Sequence, residues 1–326
     1  MNQKRPHWSF IGRLAFVIVL LLMVLGTIDI PTVARYFTLR LLAIMVSVQP
    51  LVLLCLCMFA LRLAILVRTP AAPFIPTLKA VMLASGMNAI LPGRLAELLK
   101  PIFLMKHIGL PMSEGLAAVF LERMADCIIM GLLALASVSV VIGDTGLHIV
   151  LALMLAVMMV LILLPRLQPL LKKLNYRLPW ATFHAFFENF LAHASLRIKG
   201  GSFFKALLVT GAAWLCDFLT IALFFHAAGS IPLGLFGTLV VCVATTLGAA
   251  IPALPGGLGT YEAAAVFSLK GFGYSFEEAL ALGFALHVTF FIISLLSSLV
   301  IVTTEKIGIS ALIRNITQAA RAGRGP

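Results

Sequence analysis

Charge is what this chain has least of. Asp, Glu, Lys and Arg make up 11% of its 326 residues, against 62% hydrophobic. With a mean hydropathy of +1.11, so few charges could not cover the apolar surface of a soluble domain, which excludes that class. Patterns that hydrolysis or group transfer would need are missing too. There is no G-x-x-x-x-G-K-[ST] phosphate loop, no H-E-x-x-H, no extramembrane D-x-D and no Ser/His/Asp arrangement of useful spacing. Cys55, Cys57, Cys127, Cys216 and Cys242 all fall in apolar segments, and Cys55-x-Cys57 lacks both zinc-knuckle spacing and His partners. They read as small buried hydrophobes. The expectation is therefore no metal, no cofactor and no catalytic residue.

What is present is a polytopic all-α membrane protein. Its net charge of +12 would suggest nucleic acid in a soluble chain, but no RNA- or DNA-binding motif accompanies it. In a membrane chain, basic loops orient the helices and face anionic lipid. Segments long enough to cross about 30 Å of hydrocarbon are 10–28, 39–67, 115–142, 147–165, 203–228 and 278–303. The first follows Lys4, Arg5 and Arg13 like a signal peptide, but no small-x-small cleavage site follows it, so it reads as a retained helix.

Two further stretches, 77–107 and 236–272, are interrupted by Leu91-Pro92-Gly93-Arg94-Leu95 and Leu254-Pro255-Gly256-Gly257-Leu258. Proline removes a backbone donor and glycine is a poor helix former, so one straight helix does not run through either. Each is a bent crossing or a re-entrant hairpin, and lysine and arginine decide between these. Re-entrant hairpins leave only Arg35, Arg40 and Lys270 outside, whereas a crossing at the first break would put the basic 166–205 segment outside. The charge count therefore favours six spans plus two re-entrant hairpins, with both termini cytoplasmic and Arg62, Arg68 and Lys79 in a cytoplasmic connection.

After each break a Gly (Gly109, Gly273) precedes a matched helix start, Glu114-Gly115-Leu116-Ala117 against Glu278-Ala279-Leu280-Ala281. The reading is one integral membrane domain over 1–326: a span–hairpin–span repeat at 39–142, a cytoplasmic basic, amphipathic connector at 166–202, an inverted repeat at 203–303 and a cytoplasmic tail at 304–326. In the connector Phe183, Phe186, Phe187, Phe190, Leu191 and Ala194 share one face. That helix suits the cytoplasmic interface, or equally packing on the bundle.

Broken helices at corresponding places in two halves point to a site near the midplane, and charges there need a partner, water or a task. Arg94 and Glu97 are three apart, with Lys100 a turn further on. Glu122, Arg123 and Asp126 sit together in one span, where Glu122 and Asp126 share a face and Arg123 can pair with Asp126. Asp217 lies mid-span beside Trp214, and Thr260, Tyr261 and Glu262 follow the second break. The buffered alternative is that these charges only neutralise one another. His226 and His287 read as structural. Asn88 could satisfy carbonyls freed by Pro92; Pro252 and Pro255 break the second helix. Gly256, Gly257 and Gly259 free the backbone before a helix whose positive dipole end would suit a lipid phosphate.

The tract Asn88-x3-Pro92-Gly93-Arg94-x2-Glu97, then Glu122-Arg123-x2-Asp126, then Ile251-Pro252-x2-Pro255-Gly256-Gly257-Leu258-Gly259-x2-Glu262 resembles the flippase-like transmembrane domain of lysylphosphatidylglycerol synthases (multiple peptide resistance factors) and its stand-alone relatives. The resemblance covers essentially the whole chain. It implies a lipid translocase, with Arg94, Glu97, Glu122, Arg123, Asp126 and Glu262 as motif positions. On that basis Arg94 and Arg123, with Lys100, would contact lipid phosphate, while Glu97, Asp126 and Glu262 would pair with them or receive a cationic head group. No synthase half follows the last span, so the expected partners are an anionic, aminoacylated or isoprenoid-linked lipid, a separate cytoplasmic lipid-modifying enzyme, and a second copy in a homodimer. The alternatives are a membrane-embedded enzyme and an accessory protein in lipid-linked sugar or aminoacyl-lipid metabolism. The expected location is the cell membrane.

Overall fold

A computed structural model of the protein describes residues 30–67, 74–141, 143–175, 181–251 and 254–305. The expected span 10–28, the tail from 306, Pro252 and the side chains of Pro92, Gly93 and Arg94 lie outside the described residues. All elements among those described are helical: α1 Ile30–Arg35, α2 Leu39–Ser47, α3 Gln49–Val67, α4 Phe74–Met87, α5 Leu99–Ile108, α6 Met112–Val141, α7 Gly143–Asn175, α8 Ala181–Lys199, α9 Ser202–Ala228, α10 Gly234–Ala250, α11 Thr260–Lys270 and α12 Phe276–Thr304. The fold is an all-α polytopic membrane fold. Among the described residues, Leu39–Val67, Met154–Leu171, Ser202–Ala228 and Phe276–Thr304 are long and apolar enough to cross a membrane. The 30-residue α6, about 45 Å at the helical rise, has the length as well.

Both interrupted stretches fold as helical hairpins. In the first, a 14-residue α4 ends at Met87, a 3-10 turn runs Pro92–Leu98, and the 10-residue α5 returns along α4. Neither arm reaches 30 Å: at the helical rise they span about 21 and about 15 Å. In the second, α10 and α11 pack together across a 3-10 turn at Pro255–Gly257. The turn and Gly259 require glycine, because Gly256, Gly257 and Gly259 hold φ of 68°, 74° and 84°, a region that costs other residues about 1–2 kcal/mol.

Both hairpins are rooted on α12, at opposite ends. Glu305, which caps its C-terminus, binds Lys79 of α4 at 2.6 Å and His107 of α5 at 3.1 Å. Near its N-terminus Glu278 accepts hydrogen bonds from the Ser230 amide and hydroxyl just before α10, at 3.0 and 2.8 Å. Tyr274, which follows α11, donates its hydroxyl to the Ile231 carbonyl. The hairpin bases therefore stand about 40 Å apart along the helix, and the two 3-10 turns touch between them.

Packing pairs the halves reciprocally. The span α2–α3 lies against α9 and runs antiparallel to it: Arg40 meets Ala227, Cys55 meets Cys216, and Arg62 meets Thr210. The first arm of hairpin one, α4, packs on α12, and the first arm of hairpin two, α10, packs on α6. Small residues set the approach of α4 to α12 and of α11 to both α10 and α12, as expected where apolar solvent gives no hydrophobic drive. Gly86 lies directly against Ser294 and Ser298, Gly248 against Thr260, and Gly283 against Ala265.

The connector helix α8 packs on α6, α7 and α9. Leu191 and Ala194 are buried, and the Phe120 and Phe190 rings meet edge to face. At its basic end Arg197 is buried and donates to Glu114 at 2.7 Å and to the Val67 carbonyl at 2.6 Å, while Lys199 is exposed.

Candidate functional site

The first break is built around a cation that sequence reasoning placed elsewhere. Arg62 is not in a cytoplasmic connection. The helix α3 stays intact to Val67, so Arg62 sits inside the span with 1% of its side chain exposed. Its Nε donates to Glu122 Oε1 at 3.1 Å, its Nη1 donates to Asp126 Oδ1 at 2.5 Å, and the ring of Phe59 lies 4.7 Å beneath. Glu122 gives its second oxygen to Lys100 Nζ at 3.0 Å, and Lys100 stands 2.8 Å from Glu97 Oε2. Arg123 pairs with Asp126 at 3.0 Å and lies 3.8 Å from Glu97. Trp214 donates to Asp126 at 3.4 Å.

Three cations and three carboxylates thus close one network across α3, α5, α6 and the first turn. Its formal charge is zero, which is how a low-dielectric bundle keeps six ions without a net charge. Glu122 is fully buried, whereas the Arg123 side chain is 32% exposed. The predicted residues Glu97, Lys100, Glu122, Arg123 and Asp126 therefore come together. The predicted partner of Glu97, Arg94, lies outside the described side chains; here Glu97 pairs with Lys100 and Arg123. Arg62 was findable, because the middle of α6 carries Glu122 and Asp126 against Arg123 alone and needs a cation from another helix.

The second break is uncharged by comparison. Glu262 is not a free acid waiting for a head group. One oxygen accepts the Gly259 N–H at 2.6 Å and the other meets His287 Nδ1 at 2.6 Å. This corrects the phosphate-site expectation, because the positive end of α11 is already neutralised by its own carboxylate. Thr260 donates to Gly257 O at 3.0 Å and serves the turn. His287, expected to be structural, forms part of the site: its ring stacks on Tyr261 at 4.0 Å and its Nε2 lies 3.1 Å from Gly256 O.

Between the breaks lies a cavity of about 490 Å³. Its wall takes Arg62, Glu97, Lys100, Arg123 and Asp126 from the first half and Asp217, Tyr261 and His287 from the second. Asp217 faces the Cys55 thiol. The Asn88 side-chain oxygen and Arg123 Nε are buried without a hydrogen-bond partner, whereas the Tyr261 hydroxyl meets Thr245. Asn88, Arg123 and Tyr261 all line the cavity. Of the cysteines, Cys55, Cys216 and Cys242 are buried as expected, but Cys127 is exposed and lines this cavity.

Paired helix breaks meeting at a charge-lined cavity mark a polytopic membrane protein with polar groups gathered inside an apolar bundle. The chain belongs to the lysylphosphatidylglycerol synthase transmembrane region family, whose model matches residues 10–298 and so spans both breaks and the whole ionic network. Comparison with curated proteins and with solved structures returned no match.

Proposed function

We propose that this protein is a lipid translocase that moves a phospholipid or lipid-linked polar head group between leaflets without an ATPase of its own. The observation that carries this reading is the meeting of two breaks, rooted about 40 Å apart on α12, at one cavity lined by both halves. The halves are read as inverted repeats: α3 and α9 run antiparallel, and the contacts of α4 on α12 and α10 on α6 are reciprocal. The hairpins are then re-entrant from opposite faces, and such a pseudo-two-fold in the membrane plane lets one site open alternately to either side. In the orientation we infer, the end carrying Lys79, Lys106, Lys199 and Lys205 is cytoplasmic and the membrane is the cell membrane.

A head group would meet Arg123, the most exposed cation of the network, through its phosphate. Asn88 supplies a hydrogen-bonding oxygen left without a partner. Against an enzyme built on the ionic network, each of its carboxylates is held by a cation, which leaves none of those three placed as a general base. The test is leaflet exchange of fluorescent phosphatidylglycerol and its aminoacylated form in vesicles carrying the purified protein. Exchange faster than in protein-free vesicles is expected. Exchange at the protein-free rate across phospholipid, aminoacyl-lipid and isoprenoid-linked lipid would contradict the reading.

A further inference from the structure

A single imidazole of α12 holds both the turn and the returning helix of the second break, and that turn touches the first break directly. His287 is buried in α12, with Nδ1 at 2.6 Å from Glu262 Oε1 and Nε2 at 3.1 Å from the Gly256 carbonyl oxygen. A carbonyl oxygen only accepts, and so does an ionised carboxylate. A neutral imidazole has one N–H and cannot serve both. The arrangement therefore needs one more proton than a carboxylate beside a neutral ring. Either the ring is imidazolium, donating to both sides, or Glu262 is a carboxylic acid donating to Nδ1 while Nε2–H donates to Gly256. The pair holds the same proton in both forms.

Removing that proton leaves a nitrogen lone pair facing an oxygen at a buried site. With the remaining N–H directed to Glu262, the unmatched contact falls on Gly256, which stands at φ 68° against Phe291 and against Ala89 of the first break. Loss of the proton thus loosens the second break where it touches the first. We propose that Glu262 and His287 form a proton-binding site whose occupancy locks the two breaks together, linking lipid exchange through the cavity to proton binding and release. The linkage to exchange rests on the translocase reading; the proton site does not.

His287 lines the cavity, so the proton leaves to water there. The other groups around it are accounted for by element. Tyr261 of α11 stacks on the ring, and Cys242 of α10 and Asp217 of α9 act on Tyr261 from behind. Across the cavity the charges from α3, the first hairpin and α6 pair among themselves. From α4 come Ser85 and Asn88, which do not titrate, and Gln49 of α3 donates to the Thr289 carbonyl. Toward the start of α12, Arg35 of α1 is exposed and Arg40 of α2 donates to the Ala227 carbonyl.

The first measurement is solid-state NMR of ¹⁵N-histidine, ¹³C-glutamate protein in lipid bilayers at neutral pH, with His287→Gln and Glu262→Gln used to assign the signals. A ring protonated on both nitrogens, or a protonated Glu262 beside a neutral ring, is expected. An ionised Glu262 beside a neutral ring overturns the site. The second is vesicle lipid exchange from mildly acidic to mildly alkaline pH. Wild type should change rate severalfold with a dependence that His287→Gln flattens, and Glu262→Gln repeats the test should the first variant not accumulate. An unchanged pH profile in the variant overturns the linkage. Absence of exchange in wild type at every pH overturns the linkage along with the translocase reading, while the NMR result still decides the proton site.

Discussion

The two helix breaks share an architecture and differ in chemistry. Each consists of a short helix, a 3-10 turn, a shorter returning helix, a left-handed glycine (Gly109, Gly273) and then a long helix with an early buried Glu. The first break secures its turn with ions: Lys100 reaches across to Glu122 and Glu97 to Arg123. The second uses backbone and one hydrogen-bonded pair, with three positive-φ glycines and Glu262 held between Gly259 and His287. A charge network is stiff, because each ion removed strands another at low dielectric. A glycine turn held by one imidazole depends on far fewer contacts. The comparison teaches that the first break is the fixed wall of the cavity and the second is its adjustable one.

The largest effect that would break this contrast is at Arg62. Replacing it with Leu takes one cation from both Glu122 and Asp126 and leaves the buried network with a net negative charge; loss of one partner from a buried ion pair costs about 3–5 kcal/mol. Thermal unfolding in detergent should show a large loss for Arg62→Leu, partly restored when Asp126→Asn is added. An Arg62→Leu protein as stable as wild type would remove the fixed wall. Next comes Gly256→Ala. A Cβ there would stand 3.0 Å from Phe291 and 3.3 Å from Ala89, on a backbone that costs about 1–2 kcal/mol for a non-glycine residue. Slower lipid exchange with a modest loss of stability is expected, and a change confined to stability would put the second break outside the gate.

Arg123→Gln sharpens the comparison from the other side. Its side chain is partly exposed, so the stability cost should be smaller than at Arg62, about 1 kcal/mol for a hydrogen-bonded pair, while exchange of anionic lipid falls severalfold. A loss of stability equal to that of Arg62→Leu would make Arg123 structural. The smallest effect concerns the hairpin base outside the bundle. Lys79 and His107 hold the Glu305 carboxyl below its ordinary range. A lowered carboxyl contributes stability above its unfolded range and loses it as pH falls through the folded value. Acidification should therefore lower the hydrogen-exchange protection of α4 near Lys79 relative to the intrinsic rate at each pH, and Glu305→Gln should abolish that dependence.

Local signals carried most of the fold. Leu-Pro-Gly interruptions, the glycines after them and the spacing of Glu122, Arg123 and Asp126 each mark a feature within one turn of chain, and each has its counterpart in the structure. Long-range pairing was not legible. Arg62 stands close to the end of an apolar run, so the lysine and arginine count assigned it to the connection that follows, and only the surplus acid on α6 hinted otherwise. The Glu262–His287 contact joins two helices whose separate patterns give no reason to choose each other. Basic residues on an apolar helix face suggested a lipid surface for α8, whereas Glu114 offered Arg197 a buried partner 83 positions away.

The central claim is that the hairpins enter from opposite faces and meet inside, and sided labelling at their bases tests it most directly. Single cysteines at positions 106 and 270, with the native cysteines replaced, would be probed with an impermeant reagent in sealed vesicles of known orientation. Reaction of the two positions from opposite sides is predicted. Reaction of both from the same side would contradict the account.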